Sequence, residues 1–122
     1  MENKPDNDVF VSYNWKLKSK VRVLQQKLDS AMITTYLDEK NSNNNQKSLT
    51  TQSISVIKNS KIFLCCITHD YCESNNCNLE IEFAKALEKP IIALMFDDLN
   101  IKDINQIHIN DTNITSDIGS II

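Results

Sequence analysis

The chain has 122 residues, enough for one domain with a buried core, and its 24% charged and 41% apolar residues are ordinary for a globular protein. A net charge of −3 gives no electrostatic reason to expect nucleic acid, and no apolar run approaches the length of a membrane span. The polar start, Met1 to Asp8, lacks the apolar stretch of a secretory signal, so a cytoplasmic chain with no membrane contact of its own is expected.

Residues 1–7 are expected to be a disordered lead, and Val9 to Tyr13 a short buried strand. Trp15 to Ser30 is expected to be a helix, with Leu17, Val21, Leu24 and Leu28 at helical spacing. Its Lys16, Lys18, Lys20, Arg22 and Lys27 form a cationic stripe, read as a solvated face. Met32 to Leu37 reads as a second strand, and Asp38 to Lys47 as a polar loop centred on Asn43, Asn44 and Asn45. Leu49 to Asn59 is expected to be a helix with Leu49, Ser53, Val56 and Ile57 inward. Lys61 to Thr68 is a nearly continuous apolar run, the mark of a strand covered on both faces. A loop over His69 to Asn76 then leads into a helix over Asn78 to Glu88, with Leu79, Phe83 and Leu87 inward and Glu80 in its first turn. Pro90 to Phe96 is the fourth strand, Ile107 to Ile109 a short edge strand, and Ile114 to Ile122 a residual helix or tail. The domain proper is placed at residues 8–110, with 111–122 as a C-terminal helix or tail.

Strand and helix alternate at close spacing, which predicts an α/β domain: a central parallel sheet flanked by helices, in a three-layer flavodoxin-like arrangement. Sites in such sheets lie beyond the carboxyl ends of the strands, where the strand order reverses. The loops after Tyr13, Leu37 and Thr68 fall there. Gly119 is the chain's one glycine, so no glycine-rich phosphate loop exists, and asparagine is left to serve the turns. Cys65 and Cys66 adjoin on a strand and point to opposite faces, and with Cys72 and Cys77 they match no zinc-knuckle spacing. No metal is expected; reduced thiols are, with a Cys72–Cys77 disulfide as the alternative.

By spacing alone, Glu80 reads either as a helix-favouring surface charge or as a functional carboxylate. Glu82, about 200° away around the helix, is its natural control. Asp38 is a ligand-contacting group or a turn former, and Trp15 stacks on a ligand ring or covers the sheet end. Ser12 and Tyr13 are expected to pack and hydrogen-bond at the end of the sheet. His69 and His108 stand apart from any nucleophile, which leaves protease-type or lipase-type hydrolysis without a motif. A phosphoacceptor receiver would need an aspartate where Thr68 and His69 stand, with Asp70 two residues late.

Four segments in order resemble the TIR (Toll/interleukin-1 receptor and resistance-protein) domain family. Asp8-Val9-Phe10-Val11-Ser12-Tyr13 is similar to its first box, and Tyr36-Leu37-Asp38-Glu39 to its second strand and the acidic start of the BB loop. Ile54 to Thr68 is similar to the next helix and strand, and Asn76-Cys77-Asn78-Leu79-Glu80 to the Trp-Cys-x-x-Glu segment, with Asn76 in place of the tryptophan. The resemblance implies a signalling domain that self-associates with other TIR domains, homotypically or heterotypically. Some members are NAD⁺ glycohydrolases, and others act only as adaptors. For the enzyme it implies Glu80 as the key carboxylate, and substrate contacts from Asp38, Trp15, Ser12, Asn14 and Asn76. It implies association through the BB loop, here Glu39, Asn43, Asn44 and Asn45, and NAD⁺ as a substrate with no resident cofactor. Asn14-Trp15 stand where the family often has an arginine pair, which leaves Lys16 as the nearby point charge.

Overall fold

The computed structural model describes residues 7–37 and 49–96, and the backbone of residues 114–115. Five strands are present among them: β1 (Asn7–Ser12), β2 (Thr35–Leu37), β3 (Ser60–Ile67), β4 (Ile91–Met95) and β5 (Ile114–Thr115). They form one sheet in the order β2-β1-β3-β4-β5, parallel at every pairing. Parallel neighbours need crossovers, and helices supply them: a 3₁₀ turn (Trp15–Leu17), α1 (Lys18–Ser30), α2 (Thr51–Lys58), α3 (His69–Glu73) and α4 (Asn75–Ala86). The order reverses between β1 and β3, which makes their carboxyl ends the switch point.

The period of two along each strand divides the core. Val9 and Val11 of β1, Leu64 and Cys66 of β3, and Leu94 of β4 pack with Val21 and Leu24 of α1. Phe10 of β1, Phe63, Cys65 and Ile67 of β3, and Ile91 and Ala93 of β4 pack with residues of α2, α3 and α4 on the other face. The rings of Tyr36, Phe10 and Phe63 stack across three strands, with centroids 5.7 and 5.5 Å apart. Cys65 and Cys66 do lie in opposite layers.

The expected loop at His69–Asn76 is instead helical. Thr68 Oγ1 accepts from Tyr71 N–H at 3.0 Å and Ser74 Oγ from Cys77 N–H at 3.2 Å, so two successive caps start two helices. The second helix therefore begins at Asn75, which puts Glu80 in its second turn and not its first. Its buried face is Cys77, Glu80, Ile81 and Ala84; Phe83 and Leu87 only flank it, and Leu79 is half-buried. The expected first helix opens as a 3₁₀ turn because Asn14 Oδ1 captures Lys16 N–H at 3.1 Å. Ile114–Thr115 pairs with Ala93 and Leu94 of β4 as a strand, where a helix or tail was expected. The expected edge strand at Ile107 to Ile109 lies outside the described residues.

The second strand begins at Thr35, not Met32, because α1 runs on into a left-handed stop. Met32 has φ 64°, with Met32 N–H on Asp29 C=O and Ile33 N–H on Leu28 C=O, both at 2.9 Å. Glu88 repeats the arrangement at φ 59°, with Glu88 N–H on Lys85 C=O and Lys89 N–H on Ala84 C=O. These are Schellman ends, which glycine usually occupies, built here from residues that carry a Cβ. The left-handed region costs a non-glycine residue about 1–2 kcal/mol, and glycine's greater freedom in the unfolded chain takes back part of the gain from relief. Met32→Gly and Glu88→Gly are therefore each expected to stabilise the fold by about 0.5–1 kcal/mol. The check is the urea midpoint at unchanged m-value; Met32 is 89% exposed, so little packing is lost.

Candidate functional site

Ser12, the last residue of β1, is paired in register with Cys65 of β3 at the switch point. By strand alternation it shares the face of Phe10, so its hydroxyl meets α3 and α4. Ser12 Oγ donates to Glu80 Oε1 at 2.6 Å and lies 2.8 Å from the Tyr71 hydroxyl. A serine has one hydroxyl proton. With that proton on Glu80, Tyr71 must be the donor to Ser12, which gives one direction to the chain Tyr71–Ser12–Glu80. The 2.6 Å separation is at the short end of the range for hydroxyl hydrogen bonds. Ser12, Tyr71 and Glu80 are 1%, 0% and 2% exposed, so water contributes little to this chain.

Each member is held by local structure. The Thr68 cap fixes the first turn of α3 and with it Tyr71. The Asn78 amide donates to Cys72 C=O at 3.1 Å and Ser74 C=O at 3.0 Å, tying α4 back onto α3. Burial pushes the Tyr71 phenol well above its usual range, with the neighbouring Cys65 and Cys77 adding to the shift. The Cys77 thiol is also pushed up, by burial first and then by the negative charge of Glu80. Cys65 and Cys66 are raised by burial, then by each neighbouring thiol named in turn: Cys66 for the one, Cys77 for the other. All four cysteines are buried thiols, none of them in a disulfide. Protonated buried thiols are poor nucleophiles, so the group equipped for chemistry at this end is the Glu80 carboxylate.

The other sequence candidates fall as follows. Trp15 is 43% exposed on the turn that follows β1. Next to it, Lys16 Nζ is 3.5 Å from Asp70 Oδ1, which ties that turn to the start of α3. Asn14 is 7% exposed and its side-chain oxygen is used in capping. Asn76 is half-buried in the first turn of α4, and Glu82 is exposed on the opposite face from Glu80. Asp38, Glu39, Asn43, Asn44 and Asn45 lie outside the described residues. The structure thus brings together Ser12 and Glu80, and adds Tyr71 and Cys77, which sequence reasoning did not select. The signal for both was the capping spacing Thr68-x-x-Tyr71 and Ser74-x-x-Cys77. Among the described residues, no group of three or more His, Cys, Asp and Glu is placed to hold a metal, and no helix is long and apolar enough to cross a membrane.

A family model described as TIR domain matches residues 9–119. The chain belongs to the TIR domain family. Among solved structures it is similar to the TIR domains of the activated Roq1 resistosome, which directly recognises the pathogen effector XopQ. That match has a TM-score of 0.65 and 23% identity, and covers 77% of this chain and 60% of the other. It is also similar to the TIR domain of the Toll-related receptor TRR-2 from the lower metazoan Hydra magnipapillata, at TM-score 0.64 and 18% identity over 78% of this chain and 74% of that one. The present chain thus spans less than two thirds of the Roq1 chain, and at these identities the likeness carries the fold alone. No curated protein matches.

The buried thiols of this TIR domain make its stability fall in alkali. Cys65, Cys66 and Cys77 have folded values above the ordinary 9.0, so the unfolded chain loses these protons first as pH rises. Their contribution is whole below pH 9.0 and declines above it, by about 1.4 kcal/mol per pH unit for each fully titrating group. The expected result is a urea midpoint that drops from about pH 9 to 11, with a shallower drop in Cys66→Ala.

Proposed function

We infer that this TIR domain acts in intracellular signal transduction through association with other TIR domains, and that it cleaves the nicotinamide–ribose bond of NAD⁺. The observation that carries the enzymatic reading is the Glu80 carboxylate, held by Ser12 at the carboxyl ends of β1 and β3. Nicotinamide leaves NAD⁺ as a neutral molecule, because the ring takes the bonding electron pair and cancels its own positive charge. The ribose is left as an oxocarbenium-like centre, as in other glycoside hydrolysis. A carboxylate kept out of water stabilises that developing charge more strongly than one in solvent. Water then adds to the anomeric carbon and releases a proton, which gives ADP-ribose.

The second-turn position of Glu80 changes the electrostatic account. The helix dipole acts within the first turn, so the Ser12 hydroxyl, and not the helix end, is the close stabiliser of this anion. In this reading Trp15, exposed on the turn after β1, stacks on a ring of the substrate, with Lys16 beside it. Asn14, Asn76 and Asp38 complete the proposed substrate contacts, and Glu39 with Asn43, Asn44 and Asn45 the proposed association loop. At 2% exposure Glu80 is covered in the lone chain, so substrate contact requires the surrounding loops to part. Association that favours the parted state makes turnover rise faster than protein concentration.

Release of nicotinamide from NAD⁺ by the purified domain, over a range of protein concentrations, tests this reading. Glu80→Gln, which keeps the side-chain shape, is expected to lose about 100-fold or more in kcat, and Glu82→Ala to stay within about twofold of wild type. Absence of wild-type turnover even at high concentration overturns the enzyme and leaves an adaptor that works by association alone. Equal activity in all three proteins overturns Glu80 as the site.

A further inference from the structure

We propose that Tyr71 is a positioning residue for Glu80: acting through Ser12, its hydroxyl fixes the orientation of the carboxylate and strengthens the serine's bond to it. The inference deepens the enzymatic reading given above and rests on it for its functional meaning. Its physical content can be tested without turnover.

With the carboxylate as acceptor, the geometry gives the chain one direction. Ser12 Oγ lies within hydrogen-bond reach of both neighbours, 2.6 Å from Glu80 Oε1 and 2.8 Å from Tyr71 OH. Its single proton goes to the carboxylate, so its lone pair receives the tyrosine proton. Donation by Tyr71 draws density from the Ser12 oxygen and strengthens the bond to Glu80, as expected of hydroxyls in series. All three groups are buried, which removes competing water. Tyr71 is anchored independently, through the Thr68 cap of α3, so it does not follow Glu80 if the carboxylate swings.

The titratable surroundings favour the same account. Facing the carboxylate are Tyr71 from α3 and Cys77 from its own helix, both acids that burial keeps protonated. Across from α4, helix α2 brings only Lys58, exposed at its far end, and β4 has no ionisable side chain. Lys16 and Asp70 pair with each other at the exposed rim. The Ser12 hydroxyl is thus the donor that meets Glu80 Oε1 at this end of the sheet.

The test is ¹³C NMR of glutamate side-chain carboxyls through a pH titration, with Glu80 assigned by its loss in Glu80→Gln. Wild type, Ser12→Ala, Tyr71→Phe and the double variant are compared, each checked for a folded core by near-ultraviolet circular dichroism. Ser12→Ala is expected to raise the Glu80 midpoint by about one pH unit, the scale of one hydrogen bond to a charged group. Tyr71→Phe is expected to raise it by less. The double variant should lie close to Ser12→Ala and well short of the sum of the two single shifts, because Tyr71 acts chiefly through the serine. An unmoved Glu80 midpoint in Tyr71→Phe overturns the proposal, as does a double variant that sums the two shifts. If Ser12→Ala fails to fold, Tyr71→Phe against wild type still decides. In the turnover assay the acid limb of kcat should move upward with the same ordering, at little change in KM. Shifted midpoints without any wild-type turnover would retire the enzymatic reading and leave the relay standing; Glu80-dependent turnover with an unmoved midpoint would do the reverse.

Discussion

The bond from Ser12 Oγ to Glu80 Oε1 joins the last residue of the first strand to the middle of the fourth helix, 68 positions along the chain. A carboxylate enters an apolar layer only when donors replace the water it loses. That requirement sets the rotation of α4 about its axis, since Cys77, Ile81 and Ala84 can pack on the sheet only in the orientation that also turns Glu80 inward. It also opposes slippage of β1, because a shift by one residue would send Ser12 to the α1 face and Val11 to Glu80. The same bond bears on the thiol beside it: the Glu80 charge helps to keep Cys77 protonated.

The opposite end of the sheet is tied in a different way. Asp8 accepts from Thr34 N–H at 2.9 Å and pairs with Lys61 Nζ at 3.1 Å, joining β1 to its two neighbours. Lys89 Nζ donates to Lys58 C=O at 2.8 Å and Ser60 C=O at 2.6 Å, a cation on the last carbonyl of α2 and the first of β3. Lys89 reaches them because Glu88, in the left-handed region, turns the chain back at the end of α4. Strained helix ends thus have a structural return. The amino ends of the strands are clasped by exposed and half-exposed charges, which salt can screen, and the carboxyl ends by buried hydroxyls, which it cannot.

Much of this arrangement was legible in the chain, for identifiable reasons. Val9 to Tyr13 and Lys61 to Thr68 announced a doubly covered parallel sheet, and Cys65 beside Cys66 fixed which residues face which layer. The helix ends were harder to read, because the usual glycine is replaced by Met32 and Glu88, whose side chains carry no sign of a left-handed turn. The segment from His69 to Asn76 reads as a loop because its helical turns are short and polar; their signal lies in two hydroxyl caps, not in apolar periodicity. The shift of α4 by three residues then misplaced Glu80 in the helix and missed its burial. Tyr71 was invisible for a further reason: it meets Ser12 only after the sheet has formed, and a contact across 59 residues leaves no local pattern.

Glu80 and Glu82 allow a comparison within one helix. Glu82 is exposed and needs no explanation beyond the helix's outer face. Glu80 is 2% exposed in a layer of phenylalanine, isoleucine and cysteine, where an apolar residue of similar volume would commonly be neutral or stabilising. Stability alone therefore does not account for a carboxylate at that position. Nor does helix propensity, which the surface would serve as well. The two hydroxyls aligned on it are of the kind that keep an anion oriented while the groups around it stay neutral. That combination costs folding energy at a buried position and supplies a fixed negative charge at the switch point of the sheet. It is this imbalance, more than any single distance, that supports reading the carboxylate as chemistry and Ser12 with Tyr71 as its support.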